Sequence, residues 1–191
     1  MFTRLNANKV SCKSKEIKNV KKLYYSSFPK EERTPFNILL SDAKKNGFEF
    51  LSFFDRNIFV GMTYVIVHKG MTLLLYLAVE EIFRCKGYGG EILKNISFRY
   101  PNQTVVLDIE SVWANVDDIQ KRLERREFYI GNGFVSANLG FSLEGVDYEI
   151  LAQGRLPTPE TCAEIYKKTS FQIEDFYPLS TSSAQNNSQI L

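Results

Sequence analysis

The stretch Leu73 to Ile92, L-L-L-Y-L-A-V-E-E-I-F-R-C-K-G-Y-G-G-E-I, constrains this chain more than any other. Met71 to Val79 is a nearly unbroken apolar run of strand length, and Gly87, Gly89 and Gly90 follow shortly after Arg84. Beyond them Ile92, Leu93, Ile96 and Phe98 recur at roughly helical spacing, so the glycines fall at the first turn of a helix. A buried strand feeding such a turn presents free backbone N–H groups and the positive end of the helix dipole, with no Cβ to hold an anion away. A diphosphate fits there. A close helix–strand contact also explains such a turn, and the glycines alone do not choose between the two. No Gly-Lys-Ser/Thr follows, so this is not a P-loop. G-Y-G-G-E-I also lacks the third glycine of a dinucleotide fingerprint, and no early βαβ unit surrounds it.

The rest of the chain arranges itself around that piece. Ile17, Val20, Leu23, Tyr24 and Phe28 form the apolar face of a helix over about Lys15 to Ser27, which Pro29 ends. Thr34 is the expected cap of a second helix, with Pro35 at its first position and Phe36, Leu39, Leu40 and Ala43 inward up to about Lys45. Phe48 to Phe54 and Ile58 to His68, joined at Arg56 and Asn57, read as a hairpin. Lys69 and Gly70 turn the chain into the Met71 to Val79 strand. After a helix from about Tyr88 to Arg99, Thr104 to Glu110 resumes as a strand, and a strand–helix–strand crossover predicts a parallel pair. Asp117 to Ile130 is a charged helix with Ile119, Leu123, Phe128 and Tyr129 inward, stopped by Gly131, Asn132 and Gly133. Phe134 to Leu143 and Val146 to Ala152, joined at Glu144 and Gly145, predict a closing hairpin. Thr158 and Pro159 open a last helix to about Lys168, and the polar stretch from about Ser180 reads as a disordered tail.

The length of 191 residues, 44% hydrophobic and 14% aromatic, suits one globular domain with a real core. No apolar run approaches the length of a membrane span, and Arg4, Asn6 and Lys9 interrupt any signal-peptide apolar region. Cys12, Cys85 and Cys162 are odd in number and far apart, which fits a reducing compartment. With one histidine, His68, and no Cys-x-x-Cys, no zinc site and no metal are expected. His68 reads as a strand-end surface residue and Trp113 as packed on a loop. The chain is therefore expected to be cytoplasmic. Residues 1 to 33 hold nine Lys/Arg against three Asp/Glu, and the remainder fifteen against nineteen. The first cluster reads as the solvated face of a helix rather than a nucleic-acid arm, so neither nucleic acid nor membrane is an expected partner.

Arg-x-x-Gly-x-Gly from Arg84 to Gly89, behind a strand closing at Val79, resembles the coenzyme A signature of the GNAT acetyltransferase superfamily. R-E-F-Y-I-G-N-G-F, from Arg126 to Phe134, resembles that family's Phe-Tyr-x-x-x-Gly-Phe element, and the two motifs stand in the family's order over roughly Phe48 to Ala152. The resemblance implies a GNAT-like α/β fold: a mixed, mostly antiparallel central sheet, its parallel fourth and fifth strands splayed for coenzyme A, with flanking helices. Residues 1–152 would form the acetyltransferase domain, 153–179 a C-terminal helical extension and 180–191 the tail.

What the resemblance further implies is a direct transfer from acetyl-CoA to an amine. Leu77, Ala78 and Val79 would pair their backbone with the pantetheine arm. Backbone N–H groups from Cys85 to Gly90, through Lys86, Gly87, Tyr88 and Gly89, would hold the pyrophosphate, with Arg84 and Lys86 adding charge. Tyr129 matches the family's tyrosine and would be the general acid toward the departing thiolate. Where many members carry an asparagine that contacts pantetheine, seven residues earlier, this chain has Arg122, and Asn115 lies too far upstream to replace it. Glu110 is the expected base, because it ends a strand where ligands gather; Asp108 shares its face, and Glu31 and Glu32 are candidates for the acceptor mouth. Cys85, with no histidine partner, is not expected to be a nucleophile. The acceptor is a small-molecule or peptide amine and the protein a monomer or homodimer. A catalytically inactive coenzyme A sensor, or an interaction module of the same fold, is the alternative reading.

Overall fold

A computed structural model describes residues 5–112 and 118–179 of the chain. Trp113, Asn115, Asp117 and the tail from residue 180 lie outside the described residues. The chain forms two compact units, Met1–Gln103 and Thr104–Leu191.

The first unit holds strands β1 (Asn6–Lys9), β2 (Phe48–Asp55), β3 (Ile58–His68) and β4 (Met71–Val79), and helices α1 (Ile17–Ser27), α2 (Phe36–Asp42) and α3 (Tyr88–Arg99). Its four strands lie side by side in that order, each antiparallel to the next. The turns fall where the sequence puts them: Arg56 is left-handed between β2 and β3, and Lys69 and Gly70 are both left-handed between β3 and β4, a backbone that only the glycine adopts without cost. From Val60 to Ile66 every residue of β3 is buried. Successive side chains point to opposite faces, so both faces of this sheet are covered. α1 packs on β3 and β4, α2 on β2 and α3 on β4, bringing Val20, Leu23, Tyr24, Leu39, Ile92 and Ile96 into the core.

Two expectations change here, and one strand is new. β1 goes unpredicted because N-A-N-K has no apolar alternation; its pairing with Leu51 to Phe54 of β2 is what makes it a strand. Thr34 does not cap α2: its N–H donates to the Tyr76 hydroxyl oxygen (3.0 Å) and its own hydroxyl lies 3.2 Å from the same phenol. Phe98, grouped with the inward residues of α3, is 74% exposed.

Glu49 of β2 ties three segments of this unit together. It accepts from Lys9 Nζ of β1 (2.8 Å), Arg99 Nε at the end of α3 (2.6 Å) and the Tyr100 hydroxyl (2.7 Å). Burial alone would raise its carboxyl, but the hydrogen bonds from Arg99, Lys9 and Tyr100 outweigh that and pull it down to about 2. A carboxylate depressed on folding stabilises the fold fully above its unfolded value, and that contribution fades as pH falls toward the folded one. Glu49→Gln should therefore cost on the order of 2 kcal/mol near neutral pH and almost nothing near the folded value. Urea unfolding of both proteins across acid pH checks this; a gap that stays constant with pH would assign the loss to packing.

The second unit holds β5 (Thr104–Glu110), α4 (Ile119–Gly131), β6 (Val135–Leu143), β7 (Val146–Gln153), α5 (Pro159–Tyr166) and β8 (Tyr177–Pro178). The strand order is β5-β7-β6-β8, all antiparallel, with Glu144 and Gly145 both left-handed at the β6–β7 turn. β8 was not legible in sequence: it is two residues long and pairs Leu139 and Gly140 of β6. α4 buries no residue completely, although Ile119, Leu123, Phe128 and Tyr129 are half-buried. Arginines fasten it instead: Arg126 donates to the fully buried Glu149 of β7 (2.9 Å), and Arg122 and Arg125 reach Glu110 of β5. α5 opens on a capping box between Thr158 and Thr161 and buries Cys162, Ile165 and Tyr166. Among the described residues no helix is long and apolar enough to cross a membrane.

Candidate active site

In the first unit, the end of β4 and the start of α3 form one continuous backbone surface. Glu80 N–H donates to the Val60 carbonyl at 2.9 Å, which fixes the phase of the β3–β4 ladder. Hydrogen-bonded and non-hydrogen-bonded pairs alternate along antiparallel strands, so Ala78 exchanges its bonds with Met62. Leu77 and Val79, opposite Thr63 and Gly61, direct their N–H and C=O groups to the edge away from β3. Of the three residues singled out for pantetheine, the ladder thus leaves Leu77 and Val79 and spends the backbone of Ala78. Gly61 permits the close packing beneath: a Cβ there would stand 2.5 Å from the Ala78 carbonyl oxygen and 3.0 Å from Ile92.

After β4 a short 3-10 turn, Glu81–Phe83, leads into the glycines. Cys85 (φ 56°) and Gly87 (φ 83°) are both left-handed, which reverses the chain into α3. The first backbone bond of α3 runs from Glu91 N–H to the Gly87 carbonyl (3.2 Å). The N–H groups of Tyr88, Gly89 and Gly90 precede it and have no carbonyl one turn back to receive them. Arg84, Cys85, Lys86 and Gly87 are exposed around this helix start. Arg84 Nε donates to the Val79 carbonyl (3.2 Å) and Lys86 Nζ to the Ile82 carbonyl (2.8 Å), so both cations stay beside the turn. The Tyr88 hydroxyl donates to Asp55 (2.8 Å) and pins the helix to the end of β2. Donors, dipole and cations converge on an opening free of side-chain bulk, the chemistry a diphosphate requires.

Glu31 and Glu32 lie on a 3-10 turn, Lys30–Glu32, with Glu31 exposed and Glu32 half-buried. This connection is fastened to β4 one residue before Leu77: the Tyr76 hydroxyl donates to the Glu32 carbonyl (2.8 Å), and the Tyr24 hydroxyl donates to the Thr34 carbonyl (2.8 Å). Tyr24 and Tyr76 also meet edge to face at 5.1 Å. The sequence showed Tyr24 only as an inward residue of α1, and nothing local marks Tyr76 as its partner.

In the second unit, Tyr129 sits half-buried near the end of α4, against Phe128 (5.0 Å) and Phe134 (5.7 Å). Its hydroxyl has no hydrogen-bond partner among the described residues. Burial, and to a lesser degree the charge of Asp108, push its phenol up to about 12, while Arg125 acts in the opposite direction. Tyr129 is therefore protonated throughout the neutral range. Glu110 is occupied: Arg125 Nη1 stands 2.8 Å from one carboxylate oxygen and Arg122 Nη2 3.2 Å from the other. Both carboxylate oxygens are thus committed to guanidinium groups of α4, and Glu110 anchors that helix to β5. Arg122 is occupied as well, with Asp118 (2.9 Å) and the Ser111 carbonyl (3.2 Å), and is 10% exposed. Asp108 accepts the Tyr166 hydroxyl at 2.6 Å. Burial raises its carboxyl, and the hydrogen bond from Tyr166 partly offsets the rise. Tyr166 was outside the sequence reading, since nothing near it points to a strand some sixty residues earlier.

Among the described residues no group of three or more His, Cys, Asp or Glu side chains could hold a metal ion.

A strand, a glycine-rich helix start, a second strand and a helix with Tyr129 in its last turn define a class: the chain has the fold of the GNAT acetyltransferases. No protein-family model and no curated protein matches the sequence. Solved structures do. A protein assigned to the GNAT acetyltransferase family from Bacteroides thetaiotaomicron aligns with a TM-score of 0.67 at 20% identity, over 83% of this chain and 92% of its own. A GNAT family acetyltransferase from Elizabethkingia anophelis with acetyl-CoA bound aligns with a TM-score of 0.54 at 15% identity, over 80% of this chain and 99% of its own. The aminoglycoside 6'-N-acetyltransferase from Enterococcus faecium aligns with a TM-score of 0.60 at 14% identity, over 81% of this chain and 99% of its own. At these identities the likeness is one of fold.

Proposed function

We propose that this protein is a GNAT-type N-acetyltransferase that moves an acetyl group from acetyl-CoA directly to a primary amine. The observation that carries the reading is the start of α3, where left-handed Gly87 opens a helix whose leading N–H groups have no internal acceptor, with Arg84 and Lys86 beside them. The acetyl-CoA held by the Elizabethkingia anophelis structure of the same fold supports the choice of ligand. Backbone N–H groups between Cys85 and Gly90 hold the pyrophosphate, and Leu77 and the Val79 N–H, which face away from β3, pair with the pantetheine amides, the Val79 carbonyl being taken by Arg84. Acetyl-CoA supplies an activated thioester. The amine nitrogen bonds the acetyl carbon, the carbon–sulfur bond breaks, and the sulfur leaves with the electron pair. Tyr129 donates a hydrogen bond, and then its proton, to that sulfur, and recovers a proton from the nitrogen. Glu31 and Glu32, fastened through Tyr76, receive the cationic acceptor.

Two measurements test this. Acetyl-CoA at 100 times its dissociation constant should stabilise the protein by about 2.7 kcal/mol. A panel of a polyamine, an aminoglycoside and an alanine-ended peptide, followed by release of free thiol, should show turnover with at least one amine. Binding without any turnover would make the protein a coenzyme A sensor; no binding would remove the reading altogether.

A further inference from the structure

The geometry points to Tyr166 as a positioning residue that, from the C-terminal helix α5, holds Asp108 as the proton acceptor for the incoming amine, in place of Glu110. This assignment rests on the acetyl-transfer reading above and deepens its acceptor side.

Asp108 and Glu110 lie two residues apart on β5 and share a face, yet their surroundings differ. Glu110 has a guanidinium on each carboxylate oxygen. Asp108 is half-buried, has no cation within ion-pair distance among the described residues, and gives one oxygen, Oδ1, to the Tyr166 hydroxyl at 2.6 Å. Tyr166 is 2% exposed and its ring is gripped by Phe141 (5.5 Å) and Phe176 (5.1 Å). A buried phenol held by two aromatic rings fixes the carboxylate's orientation, and Oδ2 bonds no other side chain among the described residues. A half-buried carboxylate that lacks a cation attracts one, and a protonated amine is such a cation.

Among the described residues, the charged and titratable groups around Asp108 do not supply that cation. From α4 come Tyr129 and Arg125, the latter bound to Glu110. From α5 come Tyr166 and the buried thiol of Cys162. On β5 itself Glu110 is held by Arg122 and Arg125, and on the neighbouring β7 Glu149 is held by Arg126. When an ammonium meets Asp108, one N–H bond breaks, the proton passes to Oδ2, and the electron pair stays on nitrogen as the nucleophile. The proton then leaves to water. This gives α5 a catalytic purpose: without it, Asp108 would be neither oriented nor shielded.

The hydrogen bond from Tyr166 stabilises the charged carboxylate, so its removal must raise the Asp108 carboxyl further. Activity that needs Asp108 ionised falls as pH drops through that value. In Tyr166→Phe the acidic limb of kcat/KM, measured with the amine of the panel that turns over, should therefore move to higher pH by about one unit. The Asp108 carboxyl carbon, identified in a 13C NMR spectrum by its loss in Asp108→Asn, should show the same upward displacement without any substrate. Asp108→Asn should lower kcat/KM by about 10² to 10⁴ and abolish the limb, whereas Glu110→Gln should keep it. Should Tyr166→Phe fail to fold, Asp108→Asn, which leaves α5 intact, carries the test. An unmoved limb in Tyr166→Phe, or a near wild-type rate in Asp108→Asn, overturns the assignment while leaving acetyl transfer standing. Absence of turnover by the wild-type protein with every amine overturns acetyl transfer itself.

Discussion

Tyr129→Phe is expected to bind acetyl-CoA as the wild type does and to turn over about 10² to 10⁴ times more slowly. The substitution keeps the ring and its contacts with Phe128 and Phe134, and the hydroxyl it removes has no protein partner among the described residues. Stability should consequently change by only a few tenths of a kcal/mol, because no buried acceptor is orphaned. The size of the rate effect follows from the acid's strength. A phenol at about 12 is protonated at neutral pH but is a weaker acid than an ordinary thiol at about 8.5. Complete proton transfer to the leaving thiolate is uphill, so in the proposed reaction Tyr129 would work first as a hydrogen-bond donor to charge developing on sulfur and finish the transfer as the nitrogen sheds its proton. If product release limits turnover the observed loss shrinks, and a single-turnover measurement restores it. A variant that loses stability yet keeps its rate per folded molecule would show that this position supplies only a ring.

Gly89→Glu is expected to abolish the thermal stabilisation by acetyl-CoA while leaving the fold intact. Gly89 lies in the first turn of α3, in helical conformation and half-buried, so no left-handed backbone forces glycine there. Replacing a helical glycine should gain a few tenths to one kcal/mol, and a carboxylate in the first turn is favoured by the helix dipole. The same carboxylate stands where a diphosphate would bind, and repels it. Opposite signs for stability and for binding make the result hard to imitate by unfolding: a more stable protein that no longer responds to acetyl-CoA is the expected outcome. A full response from Gly89→Glu would place the ligand elsewhere on the molecule.

Local signals carried most of the elements. β4 over Met71–Val79, α3 over Tyr88–Arg99 and β5 over Thr104–Glu110 stand where apolar runs and glycine punctuation put them. Turn residues placed the reversals at Arg56, at Lys69 and Gly70, and at Glu144 and Gly145; that Arg56, Lys69 and Glu144 are left-handed as well is set by the strands they join, since glycine alone takes that backbone without cost. The helix start at Gly87 was legible because exposed backbone donors are specified by a local absence of side chains. Elements with weak local patterns, β1 and β8, exist only through pairing with β2 and β6. Side-chain partnerships were illegible, since they join residues far apart in sequence. Glu110 was legible as a carboxylate at a strand end, but not that Arg122 and Arg125, one turn apart on α4, close on it. Thr34 looked like a helix cap until Tyr76 claimed both its N–H and its hydroxyl. Sequence determined where backbone donors gather; tertiary structure decided which carboxylates are already neutralised and which, like Asp108 under Tyr166, have no cation at ion-pair distance among the described residues. Ionisation depends on what lies within a few ångströms, and that distance is set by packing rather than by position in the chain.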